Sequence, residues 1–238
     1  MFEYRSDEKI KKMKQKLIFF TLVITILPFG QLFGQKKVVH VIPETAKIFY
    51  NGSEVGNGSY TVKFGRFDEF VMLKFEAPGY ITKQVRLFKN NPSKTVSYQL
   101  WVDEAEQNSV GAGDGVDRAN NSFEVTCKPG MTEDLVWKRL MSIAVNNFEN
   151  VEVRDKQAGW IRTAWKIQTF TYQTVRTRLE VKIALGDENE LKYRVTISSE
   201  ISDNDCGRND QCFIKYNRIL KKYEQVVNEL QNTVGSNF

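Results

Sequence analysis

Chemistry requires side chains that can pass a proton, attack or hold a metal, and this 238-residue chain brings few of them together. Its one histidine, His40, sits in VVHVIP, where a structural role suits it better than that of a general base. No Gly-x-Ser-x-Gly and no Cys/His pairing gives a serine or cysteine the neighbouring base that an activated nucleophile needs. Asp203, Asp205 and Asp210 crowd one stretch and offer oxygen ligands for Ca²⁺, but neither EF-hand spacing nor a closing bidentate glutamate follows. The sequence therefore predicts no catalytic residue, no metal ligand set and no cofactor.

Cysteine chemistry is the more specific signal. In DNDCGRNDQCF, Cys206 and Cys212 flank a glycine and polar residues that leave the backbone free to bring the two sulfurs together, so an oxidising compartment would favour a disulfide. A metal site of the same C-x5-C spacing lacks any further Cys or His nearby. Cys127, in FEVTCKP, is left over. It reads as a small buried hydrophobe, with a free reactive thiol as the other reading.

Binding chemistry has a candidate on two strands. Along GWIRTAWKIQ the alternation puts Ile161, Thr163, Trp165 and Ile167 on one side and Trp160, Arg162 and Lys166 on the other. Along VRTRLEVKIAL, Leu179, Val181, Ile183 and Leu185 form the apolar side, leaving Arg176, Arg178, Glu180 and Lys182 outward. Arg194 continues the row on the next strand. Tryptophan among arginines and lysines is a plausible contact surface, because Trp and Arg anchor interfaces and stack on sugar rings. The same alternation is what any antiparallel sheet with one wet face presents.

The elements that must carry these residues fall into four stretches. Residues 1–35 combine a lysine cluster with the uncharged run LIFFTLVITILP, residues 17–28, and predict a cleaved secretory signal, since a bilayer span needs roughly twenty apolar residues. A retained anchor is the other reading, and no cysteine follows the run to accept a lipid. That leader holds six basic and three acidic side chains, so the remainder carries 28 against 26. So even a balance argues against a nucleic-acid partner.

Residues 36–102 read as all β, with short Val-, Phe- and Tyr-rich runs bounded by Gly, Asn or Pro and a hairpin turn at Asn51-Gly52. Gly56 and Gly58 read as loosening the next connection. Residues 103–122 are rich in Gly, Asn, Asp and Ser and predict a flexible, solvated linker. Residues 123–238 predict a strand, an amphipathic helix capped by Thr132 with Val136, Leu140, Ala144 and Phe148 on one face, a four-stranded meander with a hairpin turn at 186–189, and a final helix from Ile214 to Val234. The expected class is α+β: a small antiparallel β-sandwich, then an antiparallel sheet covered by two helices.

Pro43, Ala46, the Tyr50-Asn51-Gly52 turn, Gly56 and Gly79-Tyr80 resemble the pattern of PEGA-type domains, small extracytoplasmic β-sandwich modules, with PETA standing where that family has Pro-Glu-Gly-Ala. The resemblance implies a fold and an envelope location, and no chemistry. Trp137, Val153-Arg154-Asp155 and Gly159-Trp160-Ile161 are weakly similar to helix-grip or TATA-binding-protein-like domains of bacterial envelope proteins. Together these readings predict an exported, non-enzymatic protein of the periplasm or cell surface of a Gram-negative-type bacterium. Its partner would be another envelope protein, with peptidoglycan or surface glycan second, and no membrane span would remain after cleavage. A ligand-binding protein or hydrolase with a pocket in the second module is the alternative.

Overall fold

The computed structural model describes residues 35–111, 118–184, 191–204 and 210–236. Its contacts divide the chain into two units: one runs through Ala77 and resumes over Thr82–Leu100, the other takes Pro78–Ile81 and everything from Trp101 onward. The class is α+β, with strands predominating.

The first unit holds two sheets. Strands β1 (Lys36–Ile42), β4 (Ser59–Lys63) and β7 (Thr95–Gln99) form one in the order β4-β1-β7. Strands β2 (Lys47–Tyr50), β3 (Ser53–Asn57), β5 (Phe70–Glu76) and β6 (Lys83–Phe88) form the other in the order β3-β2-β5-β6. Val39, Val41, Ile48, Val62, Leu73, Phe75 and Leu87 are buried, each one of an alternating set, which is the period-2 pattern that a half-wet strand imposes. The β2–β3 hairpin closes at Asn51 and Gly52, both at positive φ (51° and 80°), as a two-residue primed turn requires. The pairing of β1 with β7 is parallel, with Val39 opposite Val96 and Val41 opposite Tyr98. An all-antiparallel order was expected, but after residues 43–94 the chain returns alongside β1 in the same direction.

Gly58 does the opposite of loosening its connection. It is buried, at φ +63°, and a Cβ there would lie 2.4 Å from the carbonyl oxygen of Glu44. Its N–H donates to Ala46 O at 2.9 Å and its carbonyl accepts from Val41 N at 2.7 Å, so one residue joins β3 to β4 under tight constraint.

The second unit is built on a seven-stranded antiparallel sheet. Its path is β10 (Val151–Asp155), β11 (Trp160–Thr163), β13 (Gln173–Ala184), β14 (Lys192–Asp203) and β15 (Ile214–Lys215); β12 (Lys166–Thr169) also pairs β13, and β9 (Ser122–Thr126) also pairs β14. The long central pair β13–β14 runs in unbroken register from Gln173 opposite Asp203 to Ala184 opposite Lys192, and residues 186–189 lie outside the described residues. Helix α2 (Glu133–Phe148) begins at Thr132, whose Oγ1 accepts from Leu135 N at 3.3 Å. It buries Val136, Leu140, Ile143, Ala144 and Phe148 against the core shared with Leu179, Val181, Val195 and Ile197, each side chain larger than alanine contributing roughly 1.5–3 kcal/mol. Helix α3 (Lys221–Thr233) adds Tyr223, Val226, Val227 and Leu230, and the Tyr223 ring stacks on Phe148 at 4.8 Å.

The final helix and the linker depart from expectation. The final helix starts at Lys221 rather than Ile214, because residues 218–220 form strand β16 (Arg218–Leu220) against β8 (Ser109–Gly111). Tyr216 therefore leaves the helix face and places its hydroxyl 3.0 Å from Ser109 Oγ. The other departure is the linker. Within 103–122, Asp103 caps the short helix α1 (Glu104–Gln107), Ala105 and Ala119 are buried, and Ser109–Gly111 is a strand. The Asn120 side chain donates to Ser199 O (3.1 Å) and Tyr216 O (2.7 Å) and accepts from Ser199 N (3.0 Å). The polar residues that looked solvated are caps and bridges that satisfy backbone groups of the second unit; residues 112–117 lie outside the described residues.

Candidate functional site

The outward face of the seven-stranded sheet is the face without helices, and the even-numbered residues of β13 and β14 supply it. Opposing pairs across it include Trp160–Lys182, Lys182–Arg194 and Arg194–Glu124, then Arg162–Glu180, then Arg178–Ser198, then Arg176–Glu200. The structure thus brings Trp160, Arg162, Arg176, Arg178, Lys182 and Arg194 onto one surface.

Lys166 does not join them. Arg162 opposes Glu180, yet Lys166, four residues later, opposes Thr177, only three residues earlier on β13. One extra residue on the 162–166 side makes a bulge, and a one-residue slip sends every later side chain to the other face. At the bulge, Thr163 is buried and its hydroxyl accepts from Leu179 N at 2.9 Å, substituting for a ladder partner. Beyond the bulge, Lys166 points to the helix side and pairs with the Glu149 carboxylate at the end of α2, which holds that carboxyl below the usual range. Trp165 and Ile167, expected in the core, emerge on the outward face; Ile167 is 51% exposed.

Trp165 then becomes the centre of the surface. The Arg178 guanidinium carbon lies 4.3 Å from its ring centroid and that of Arg176 lies 4.5 Å away, while Phe213 covers Arg176 at 4.1 Å. The result is a ladder of Phe213, Arg176, Trp165 and Arg178, of the cation–π kind that desolvated sites strengthen. Phe213 directly follows the turn Asp210–Cys212, and that turn sets its position. Cys206 lies outside the described residues, as does Asp205. A second, looser cluster surrounds Trp160: its Nε1 donates to Glu180 Oε1 at 3.0 Å, and Lys182 and Arg162 lie 5.1 and 5.5 Å from its ring.

Charge on this face is largely compensated. Arg176 contacts Glu200 Oε2 at 2.7 Å through both Nε and a terminal nitrogen, and Lys182 lies 3.0 Å from Glu180. Arg162–Glu152 and Arg194–Glu124 are longer ion pairs at 3.4 Å. Arg178 is the exception in charge: among the described residues no carboxylate pairs with it, and its Nε, like that of Arg162, is buried without a hydrogen-bond partner. A buried, unanswered donor costs stability on its own account.

Other possible sites are plainer. His40 is exposed on β1. Cys127 is a free, buried thiol whose burial pushes its pKa up to about 11, so it behaves as the small hydrophobe expected and not as a nucleophile. Open clefts beside it are lined by Thr126, Lys128, Met131, Leu191 and Ser236, without a histidine or a pair of carboxylates. Among the described residues no group of His, Cys, Asp and Glu is arranged to hold a metal ion, and no helix is long and apolar enough to cross a membrane.

No family model and no curated protein matches the chain. Among solved structures it is similar to a Bacteroides fragilis protein of unknown function, provisionally described as membrane-associated, with 11% identity over 70% of this chain and 96% of that one. The TM-score of that match is 0.25, too low to inform fold or function.

Proposed function

We propose that this chain is an exported, non-enzymatic cell-envelope protein: a PEGA-type β-sandwich joined to a helix-grip-like α+β unit whose outward sheet face docks another envelope protein. The observation that carries the reading is Arg178, stacked on Trp165 and left without a carboxylate among the described residues, on a face where the other cations are already paired. A partner carboxylate reaching Arg178 would complete the ladder, and exposed Ile167 beside it supplies apolar contact. A disulfide between Cys206 and Cys212 belongs to the same proposal, because it would fix the turn that carries Phe213 onto Arg176. Mass spectrometry of the exported protein, alkylated without reductant, should find both thiols blocked.

In-cell photo-crosslinking tests the docking face. A photoreactive residue at Ile167 in the full chain should give discrete protein adducts that Arg178→Glu abolishes, whereas one at Lys138, on the exposed side of α2, should give none. Equal adducts at both positions, or none at Ile167, would remove the docking face. An adduct released by muramidase instead of protease would move the partner to peptidoglycan.

A further inference from the structure

One end of the first unit gathers features that the outward face of the second does not use. The start of β1, the end of β4, the start of β5, the end of β6 and the start of β7 all lie there. Lys36 opposes Lys63, Phe70 opposes Phe88, Val38 opposes Thr95, and Val38 N donates to Lys94 O at 2.8 Å. The connections 64–69 and 89–94 close this end. They are tied together by the Lys89 ammonium, which donates to Gly65 O at 2.7 Å and Arg66 O at 3.1 Å.

This end is aromatic and cationic at once. Phe67 is 88% exposed at the tip of its loop, and Phe70 and Phe88 are exposed as a ring pair with centroids 5.7 Å apart. Around them stand the exposed cations Lys36, Lys63, Arg66 and Lys94, and Arg86 lies over Phe70 at 5.3 Å. The acids present are Asp68 and Glu69, and Asp68 is engaged locally by Gly65 N at 2.7 Å. Three exposed phenylalanines gathered at one end form an apolar patch, and the headgroup layer of an anionic bilayer accepts aromatic rings flanked by lysine and arginine.

Connectivity points the same way. Phe64 N donates to Gln35 O at 3.0 Å, so the preceding chain joins the unit beside this loop. Six residues separate Gln35 from the apolar run 17–28, a reach of at most about 25 Å. Before the expected cleavage, a leader run seated in a bilayer would leave this end of the unit within that distance of the surface.

We propose that the end bearing Phe67, Phe70 and Phe88 is a membrane-contact surface for anionic phospholipid, with Phe67 inserted among the headgroups and Lys36, Lys63, Arg66 and Lys94 facing lipid phosphate. The proposal stands apart from partner docking by the second unit.

Brominated-lipid quenching of the full chain tests it. Phe67→Trp should show blue-shifted emission and quenching beyond the native tryptophans with vesicles of phosphatidylcholine and phosphatidylglycerol. Ile42→Trp, 55% exposed at the opposite end of β1, should show neither. Lys63→Glu with Arg66→Glu should weaken vesicle binding of the Phe67→Trp chain by at least roughly thirtyfold, the loss expected from two surface cations before their reversal is counted. Quenching at both ends, at neither, or equally in pure phosphatidylcholine overturns the proposal. A Phe67→Trp shift that tracks protein concentration without vesicles also overturns it, and assigns the patch to a second copy of the chain.

Discussion

Two arginines two residues apart on one strand illustrate how much context decides what a residue does. Arg176 is 11% exposed at its side chain, holds Glu200 with two nitrogens and lies between two aromatic rings. Arg178 has one ring and no carboxylate among the described residues. Replacing Arg176 by Met leaves the Glu200 carboxylate, itself 24% exposed, without its main counter-charge, and should cost about 1–3 kcal/mol. Replacing Arg178 by Met removes an unanswered buried donor and should leave stability within about 0.5 kcal/mol or raise it. Urea unfolding of the two variants checks this contrast, and equal losses would mean that Arg178 is satisfied in solution. The row of cations around Trp160 was legible from alternation alone. Trp165 was not, because Ile161, Thr163, Trp165 and Ile167 keep perfect step in the sequence and nothing local marks the extra residue.

At the scale of elements, connections proved more constrained than the strands they join. Gly58 sits at positive φ with no room for a Cβ beside the Glu44 backbone, so Gly58→Ala should destabilise the first unit by about 1–3 kcal/mol from backbone strain, before any clash is relieved. Thermal unfolding followed by circular dichroism reads that loss, and a neutral result would show that the β3–β4 crossing yields easily. Helix α1 is held by Glu104, whose carboxylate accepts from Thr171 N at 2.9 Å and Thr171 Oγ1 at 2.8 Å. Those bonds hold its carboxyl below the ordinary range. Asp134, paired with Lys156, and Glu149, paired with Lys166, are lowered in the same sense. A carboxyl lowered by folding contributes stability above its unfolded value near 4.5, and that contribution is lost as pH falls through the lower folded value. Glu104→Gln should therefore flatten the acid limb of the stability profile below about pH 5 while leaving the neutral limb parallel to wild type.

For the whole molecule, the alkaline limb and the unit boundary are the measurable consequences. Burial pushes Tyr193 and Tyr223 up to about 12 and Cys127 to about 11. The unfolded chain gives up these protons first, so their contribution, complete below about pH 9, is lost progressively as pH rises toward 12. Cys127 should resist iodoacetamide at pH 8 until denaturant is added. The boundary predicts a second outcome. A fragment beginning at residue 123 discards α1, β8 and the Asn120 bridges, and should unfold at much lower denaturant than one beginning at 101, which keeps them. If the two fragments share one midpoint, the stretch 103–122 contributes nothing to the second unit.

The sequence by itself determined whatever is encoded within a few residues. The Thr132 cap and four-residue spacing specified where α2 starts and which face it buries, Asn51-Gly52 specified a hairpin turn, and alternation specified which side of β13 and β14 faces the core. Helical and strand periods are local properties, so no distant partner is needed to read them. Tertiary structure alone decided the bulge that exchanged Lys166 for Trp165, the strand that delayed α3, the parallel return of β7 and the binding of Asp103, Ser109 and Asn120 into the second unit. Each depends on the position of a backbone group far away in the chain, and a polar side chain carries no local mark of whether water or such a group will satisfy it.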